Sequence, residues 1–194
     1  MARRRSPDHY SPEDFWGALR GVWTSPGRFF RELDPEGGFL RPGIFATLIL
    51  YLNLLLEAAL QAVWTRESEY SLLYAPLLGL VVSVVLGPLL VAGFAALALT
   101  VLDGAPSRAR FGPAFRAVGY TTGIGIVLWI PYGPFLALLY GSYVATLALR
   151  WTLGLTWKRA AAAALIPLAA LLAILMLLTG SAETYELFTN PPQS

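Results

Sequence analysis

The chain has 194 residues, 56% of them apolar and 13% charged, with a mean hydropathy of +0.59; soluble domains hold about 45–50% apolar and about 25% charged residues. A formal charge of +2 and a pI near 9.0 do not mark a nucleic-acid binder, because the basic residues stand where apolar segments end and form no stripe suited to tracking phosphates. The absence of cysteine excludes a disulfide framework, a thiolate metal site and a cysteine nucleophile.

Residues 1–42 form a cytoplasmic tail in this reading. Ser6-Pro7-Asp8, Ser11-Pro12-Glu13-Asp14 and Ser25-Pro26 all have the form of helix starts: serine caps, proline fits the first helical position and acids favour the positive end of the dipole. Phe15, Trp16, Leu19, Val22 and Trp23 recur at helical spacing, and Phe29, Phe30 and Leu33 follow in a shorter second helix. Beside Arg20, Arg28 and Arg31, this predicts two short amphipathic helices lying in the cytoplasmic interface, with Trp16, Trp23, Phe29 and Phe30 as anchors. The alternative is a soluble helical hairpin packed beneath the membrane spans. No apolar signal-peptide run occurs in this stretch, so the first span is expected to target the protein.

Five apolar stretches follow, at about 43–64, 72–101, 113–130, 134–149 and 160–179. About 20 residues of helix cross a bilayer core. The second stretch is over-long and carries Pro76 and Pro88, which predicts a kink or break where Pro88 cannot bond the carbonyl of Val84. Pro131-Tyr132-Gly133-Pro134 predicts a tight, uncharged turn. Between the stretches the 14 Lys and Arg residues fall as seven, one, three, none, three and none. Basic short loops stay on the cytoplasmic side, so the series predicts an all-α, polytopic integral membrane protein of five transmembrane helices. Its N-terminus is cytoplasmic and its C-terminus, in a tail at 181–194, is outside.

Enzyme signatures are nearly absent. His9, the only histidine, lies in the tail, so no zinc-binding histidine pair or Ser-His dyad can form within the membrane. No phosphate-binding glycine motif occurs, and no cofactor is expected. One intramembrane acid remains, Glu57, with Asn53 and Gln61 at i−4 and i+4 on the same helical face. Ionisable side chains at such depth are costly and by default mark function. Tyr120, Thr121, Thr122, Ser83 and Tyr140 are the intramolecular partners within reach of such a stripe, and Tyr120 joins the candidate polar site. The plainer reading is a hydrogen-bonded Glu57 that glues helices together. Rows of small residues, Gly119 with Gly123, Gly79 with Ser83 and Gly87, and Gly141 with Ala145, allow close helix approach, within the chain or between copies.

Ser25-Pro26-Gly27-Arg28-Phe29-Phe30, then Gly37-Gly38-Phe39-Leu40-Arg41-Pro42-Gly43, resembles the entry to the membrane domain in prokaryotic members of the YIP1 family. The stretch 111–120, Ile130-Pro131 with Gly133, and Gly154-Leu155-Thr156 with Lys158, Arg159 and Ala160 are similar to that family's later landmarks, so the resemblance covers about residues 22–180. It implies a five-span fold with a cytoplasmic N-terminus. Eukaryotic relatives are implicated in vesicle traffic and bind Rab-type GTPases through a longer N-terminal region, which this chain does not match. Thirteen Arg to one Lys points to a prokaryotic source, and hence to the cytoplasmic membrane.

The functional expectation is a non-enzymatic scaffold or adaptor that binds another membrane component, in contact with the lipid bilayer and with a membrane-protein partner or a second copy of itself. The alternative is a small transporter or channel, or the accessory subunit of a transporter, using the polar stripe around Glu57.

Overall fold

The computed structural model describes residues 11–34, 37–65, 69–105 and 107–189, with side chains for all of these except 61–73, 75, 175 and 178–189. Among the described residues every regular element is helical.

The first helix, α1 (Pro12–Thr24), starts as its sequence demands. The Ser11 hydroxyl accepts from the Asp14 N–H at 3.2 Å, and the Ser11 N–H donates to the Asp14 carboxylate at 3.0 Å, a reciprocal capping box. Helix α2 (Pro26–Arg31) follows at once, with Pro26 at its first position.

The long helices come next: α3 (Leu40–Thr65), α4 (Glu69–Asp103), α6 (Gly133–Leu153) and α7 (Trp157–Thr189), with the shorter α5 (Arg108–Thr121) between α4 and α6. Among the described residues four stretches are long and apolar enough to cross a membrane: Leu40–Leu60, Pro76–Asp103, Gly133–Leu153 and Trp157–Ile174. Helix α4 passes through Pro76 and Pro88 without interruption. Transmembrane helices tolerate proline because neighbouring groups take up the freed carbonyl. Helix α7 runs on to Thr189, through most of the stretch read as an external tail.

The third apolar stretch differs from its reading as a plain helix over 113–130. It is α5, which carries Arg108, Arg110 and Arg116, passing directly into a 3-10 segment, Thr122–Val127. Turns then lead to Tyr132, whose φ of 63° lies in the left-handed region. Glycine is required next, since a Cβ at Gly133 would run into the carbonyl of Val127.

Helices α3, α4, α7 and α6 and the 3-10 segment each pack on the next, and the 3-10 segment returns to α3, closing a ring. Helix α5 packs on α3, α4 and α6, while α1 and α2 lie against α5, α6 and the 3-10 segment. The small-residue rows serve contacts within the chain. Gly119 lies against Pro42, Gly123 against Phe45 and Leu19, Gly87 against the backbone of Thr47, and Gly141 against Ile124.

Candidate functional site

Two regions gather the residues singled out in the sequence, and they differ in kind. The first joins the N-terminal helices to the bundle. Phe15 packs on Phe45 at 5.3 Å between ring centroids, Phe29 meets Tyr120 edge-on at 5.3 Å, and Trp23 stacks on Tyr140 at 5.4 Å. The Trp23 indole N–H donates to the Gly123 carbonyl at 3.0 Å, and the Tyr140 hydroxyl donates to the Trp23 carbonyl at 2.7 Å. The Arg31 guanidinium lies 4.1 Å from the centre of the Trp151 ring, a cation–π distance. Arg116, buried in α5, donates to the carbonyl of Gly37.

These contacts spend most of the expected anchors on protein. Phe30 is 1% exposed, and Trp23 and Phe29 are partly buried against the core. Trp16, at 64% exposure, alone of the four keeps an open face. The helix pair therefore matches the alternative of a packed hairpin better than a pair laid in lipid. The missed signal was the register of Trp23 with Tyr140 and Gly123, partners 117 and 100 residues away that no local pattern connects.

The second region is a half-open cavity of about 340 Å³ lined by α3, α4, α5 with its 3-10 extension, α6 and α7. Its wall is apolar apart from Asn53, Thr121, Thr122 and Ser142. Asn53 is buried, and its amide N–H donates to the Ile49 carbonyl at 2.8 Å. Its Oδ1 is buried without a hydrogen-bond partner. Thr121, Thr122 and Ser142 donate to the carbonyls of Ala117, Gly119 and Leu138 on their own helical path.

The expected stripe is divided by the fold. Asn53 turns into the cavity, whereas Glu57, one turn on, is exposed on the outside of α3, and the side chain of Gln61 lies outside the described residues. The 3-10 segment lies against α3 at Phe45 and Ile49, on the Asn53 side of Glu57. Tyr120 belongs to the aromatic joint with Phe29 and Phe45, not to the stripe. Ser83 is fully buried, with an unpartnered hydroxyl. Among the described residues no three His, Cys, Asp or Glu side chains come together.

The model of one protein family, described as the Yip1 domain, matches residues 20–178. No curated protein and no solved structure matches the chain.

Proposed function

From the premise that the chain belongs to the Yip1 domain family, we propose that it is a five-span, non-enzymatic adaptor of a prokaryotic cytoplasmic membrane, docking another membrane protein on its cytoplasmic face. The observation that carries this reading is the locking of α1 and α2 onto the bundle through Trp23, Tyr140 and Gly123. A docking surface built on elements fixed by packing is better defined than one on a mobile tail. On that surface Trp16, Phe39 and Leu40 are exposed, beside exposed Arg20 and Arg28.

The fifth crossing is supported by charge. Arg108 and Arg110 mark its cytoplasmic end, and no Lys or Arg lies in the stretch 128–149 that follows its far end. The absence of native cysteine permits a clean test. In cells, Tyr132→Cys is expected to react with a membrane-impermeant maleimide from outside, and Ala105→Cys only after permeabilisation. Labelling of both from one side would remove the third span and with it this topology.

Docking is tested separately, by placing a photo-crosslinking residue at position 16 in cells. A crosslink to one membrane protein, lost on moving the probe to Gly17, supports the adaptor; crosslinks to lipid or to the chain itself alone overturn it. Deleting the N-terminal helices is a poor test, because it also strips the core of Phe15, Val22 and Phe30. The transporter reading draws only on the cavity, whose described lining has no charged residue and does not include Glu57.

A further inference from the structure

We infer that Arg31, Arg150, Trp151 and Trp157 form a binding site for the headgroup of an anionic phospholipid, at the end of the bundle where α6 stops and α7 starts. What sets these two arginines apart is how their charge is met. Arg28 pairs with Glu32 at 3.0 Å, Arg110 donates to both oxygens of Asp103 at 2.8 Å, and Arg159 stands 3.9 Å from that carboxylate. Buried Arg116 donates to the Gly37 carbonyl, with Asp34 close enough to act on its charge. Among the described residues Arg31 and Arg150 have neither a carboxylate partner nor a hydrogen-bond acceptor, and aromatic rings hold them instead.

A single indole gathers both. The Arg31 guanidinium carbon lies 4.1 Å from the centre of the Trp151 ring and that of Arg150 lies 4.9 Å from the same centre, while Arg150 is also 5.5 Å from the Trp157 ring. Like charges repel, so two guanidinia drawn to one ring from α2 and α6 make a positive spot that a bound anion relieves. Contact with a ring leaves the in-plane N–H groups of a guanidinium free to donate. Those donors suit phosphate, which arginine grips through two parallel bonds. The smaller cavity of about 150 Å³ that Arg31 and Trp151 also line is not the seat, because Asp34 lines it too and would repel a phosphate.

Place then selects a lipid. The stretch Gly133–Leu153, which contains Arg150 and Trp151, and the stretch Trp157–Ile174 are both apolar enough to cross a membrane, and they meet here. Their shared end is where spans leave the hydrocarbon, the headgroup level at which Trp and Tyr collect. Tyr143 lies two turns deeper than Arg150 on the same face of α6. It is 49% exposed, and its ring is 6.3 Å from that of Trp157, itself 43% exposed. The pair forms an aromatic wall beneath the guanidinium, suited to the glycerol and upper acyl chain of a lipid. A zwitterionic headgroup brings its own cation beside the phosphate, which opposes binding at a positive spot; an anionic one does not. This site lies away from Trp16, so the adaptor reading stands or falls without it.

The experiment is native mass spectrometry of the full chain, released from micelles that contain phosphatidylglycerol and phosphatidylcholine in equal amounts. The wild-type protein is expected to retain phosphatidylglycerol about tenfold over phosphatidylcholine, and inorganic phosphate should not displace it. Arg31→Gln with Arg150→Gln should bring the two lipids to within about twofold. Arg20→Gln with Arg108→Gln removes the same charge from two other exposed positions and should leave the preference in place. Trp151→Leu removes no charge, yet it should lower the preference about threefold, because the guanidinia lose their shared ring. Equal retention of both lipids by the wild-type chain overturns the proposal without any variant. So does an equal loss in the Arg20 and Arg108 double variant, which would reduce the effect to bulk charge, or displacement by inorganic phosphate, which would make the ligand a soluble anion.

Discussion

Helices α4 and α5 are neighbours in sequence and in space, yet they obey opposite rules. Along α4, Leu77, Val81, Val84, Val85 and Leu89 are exposed, and the stretch Pro76–Asp103 is apolar enough to span a membrane unaided. In α5 it is Ala114, Phe115, Arg116, Ala117, Gly119 and Tyr120 that are buried, and the helix is absent from the spanning candidates. The difference is what covers each. Helix α4 meets lipid, where every side chain must be apolar. Helix α5 is surrounded by α1, α3, α4, α6 and the 3-10 segment, so it can carry Arg116 provided that protein groups satisfy the guanidinium. Hydropathy in this fold reports lipid exposure, not depth.

The sharpest way to break that contrast is to remove the cover. Phe30, from α2, walls a second pocket together with Pro113 and Arg116 of α5. Phe30→Ala should destabilise the purified protein by about 3–5 kcal/mol, the usual cost for a buried Phe, read as a large fall in the midpoint of thermal unfolding. An unchanged midpoint would mean that the N-terminal helices are not part of the folded core.

Next in size is a charge placed on the lipid side. Val84→Arg on the exposed face of α4 should cost about 3 kcal/mol of insertion free energy, measured as the fraction of chains that reach the membrane. Within α5, Arg116→Leu tests the converse: although more apolar, it should destabilise by about 2 kcal/mol, because the carbonyl of Gly37 loses its donor. A stabilised Arg116→Leu protein would show that α5, like α4, is selected for apolarity.

How much of this was legible in the sequence follows the same line. The lipid-facing elements were read from local composition: α3, α4, α6 and α7 match four of the five expected stretches, and the helix start at Ser11 was visible in four residues. Where protein covers protein, local pattern fails. Glu57 and Asn53 share a helical face, yet Asn53 is buried and Glu57 is exposed, a difference set by packing between distant segments that the local pattern does not carry. The anchors Trp23, Phe29 and Phe30 have the spacing of a membrane-surface helix, and nothing nearby in sequence reveals that Tyr140 awaits Trp23 and Tyr120 awaits Phe29. The cavity was not foreseen, because it arises from five segments that each leave small or short side chains at one level, among them Gly87, Gly125 and Gly141.

The smallest expected effect bears on how firmly the cover is fastened. Tyr140→Phe keeps the ring stacked on Trp23 and removes one hydrogen bond, the 2.7 Å contact from its hydroxyl to the Trp23 carbonyl. Trp23→Phe removes the indole N–H donor to Gly123. Each should cost about 1 kcal/mol. Because the two rings touch, the double variant should depart from additivity by about 0.5–1.5 kcal/mol, the range for an aromatic pair. Additive losses would make them two independent ties holding α1 to the bundle. A coupled loss would instead make Trp23 and Tyr140 one joint, through which movement of the N-terminal helices would be felt at α6 and at the wall of the cavity.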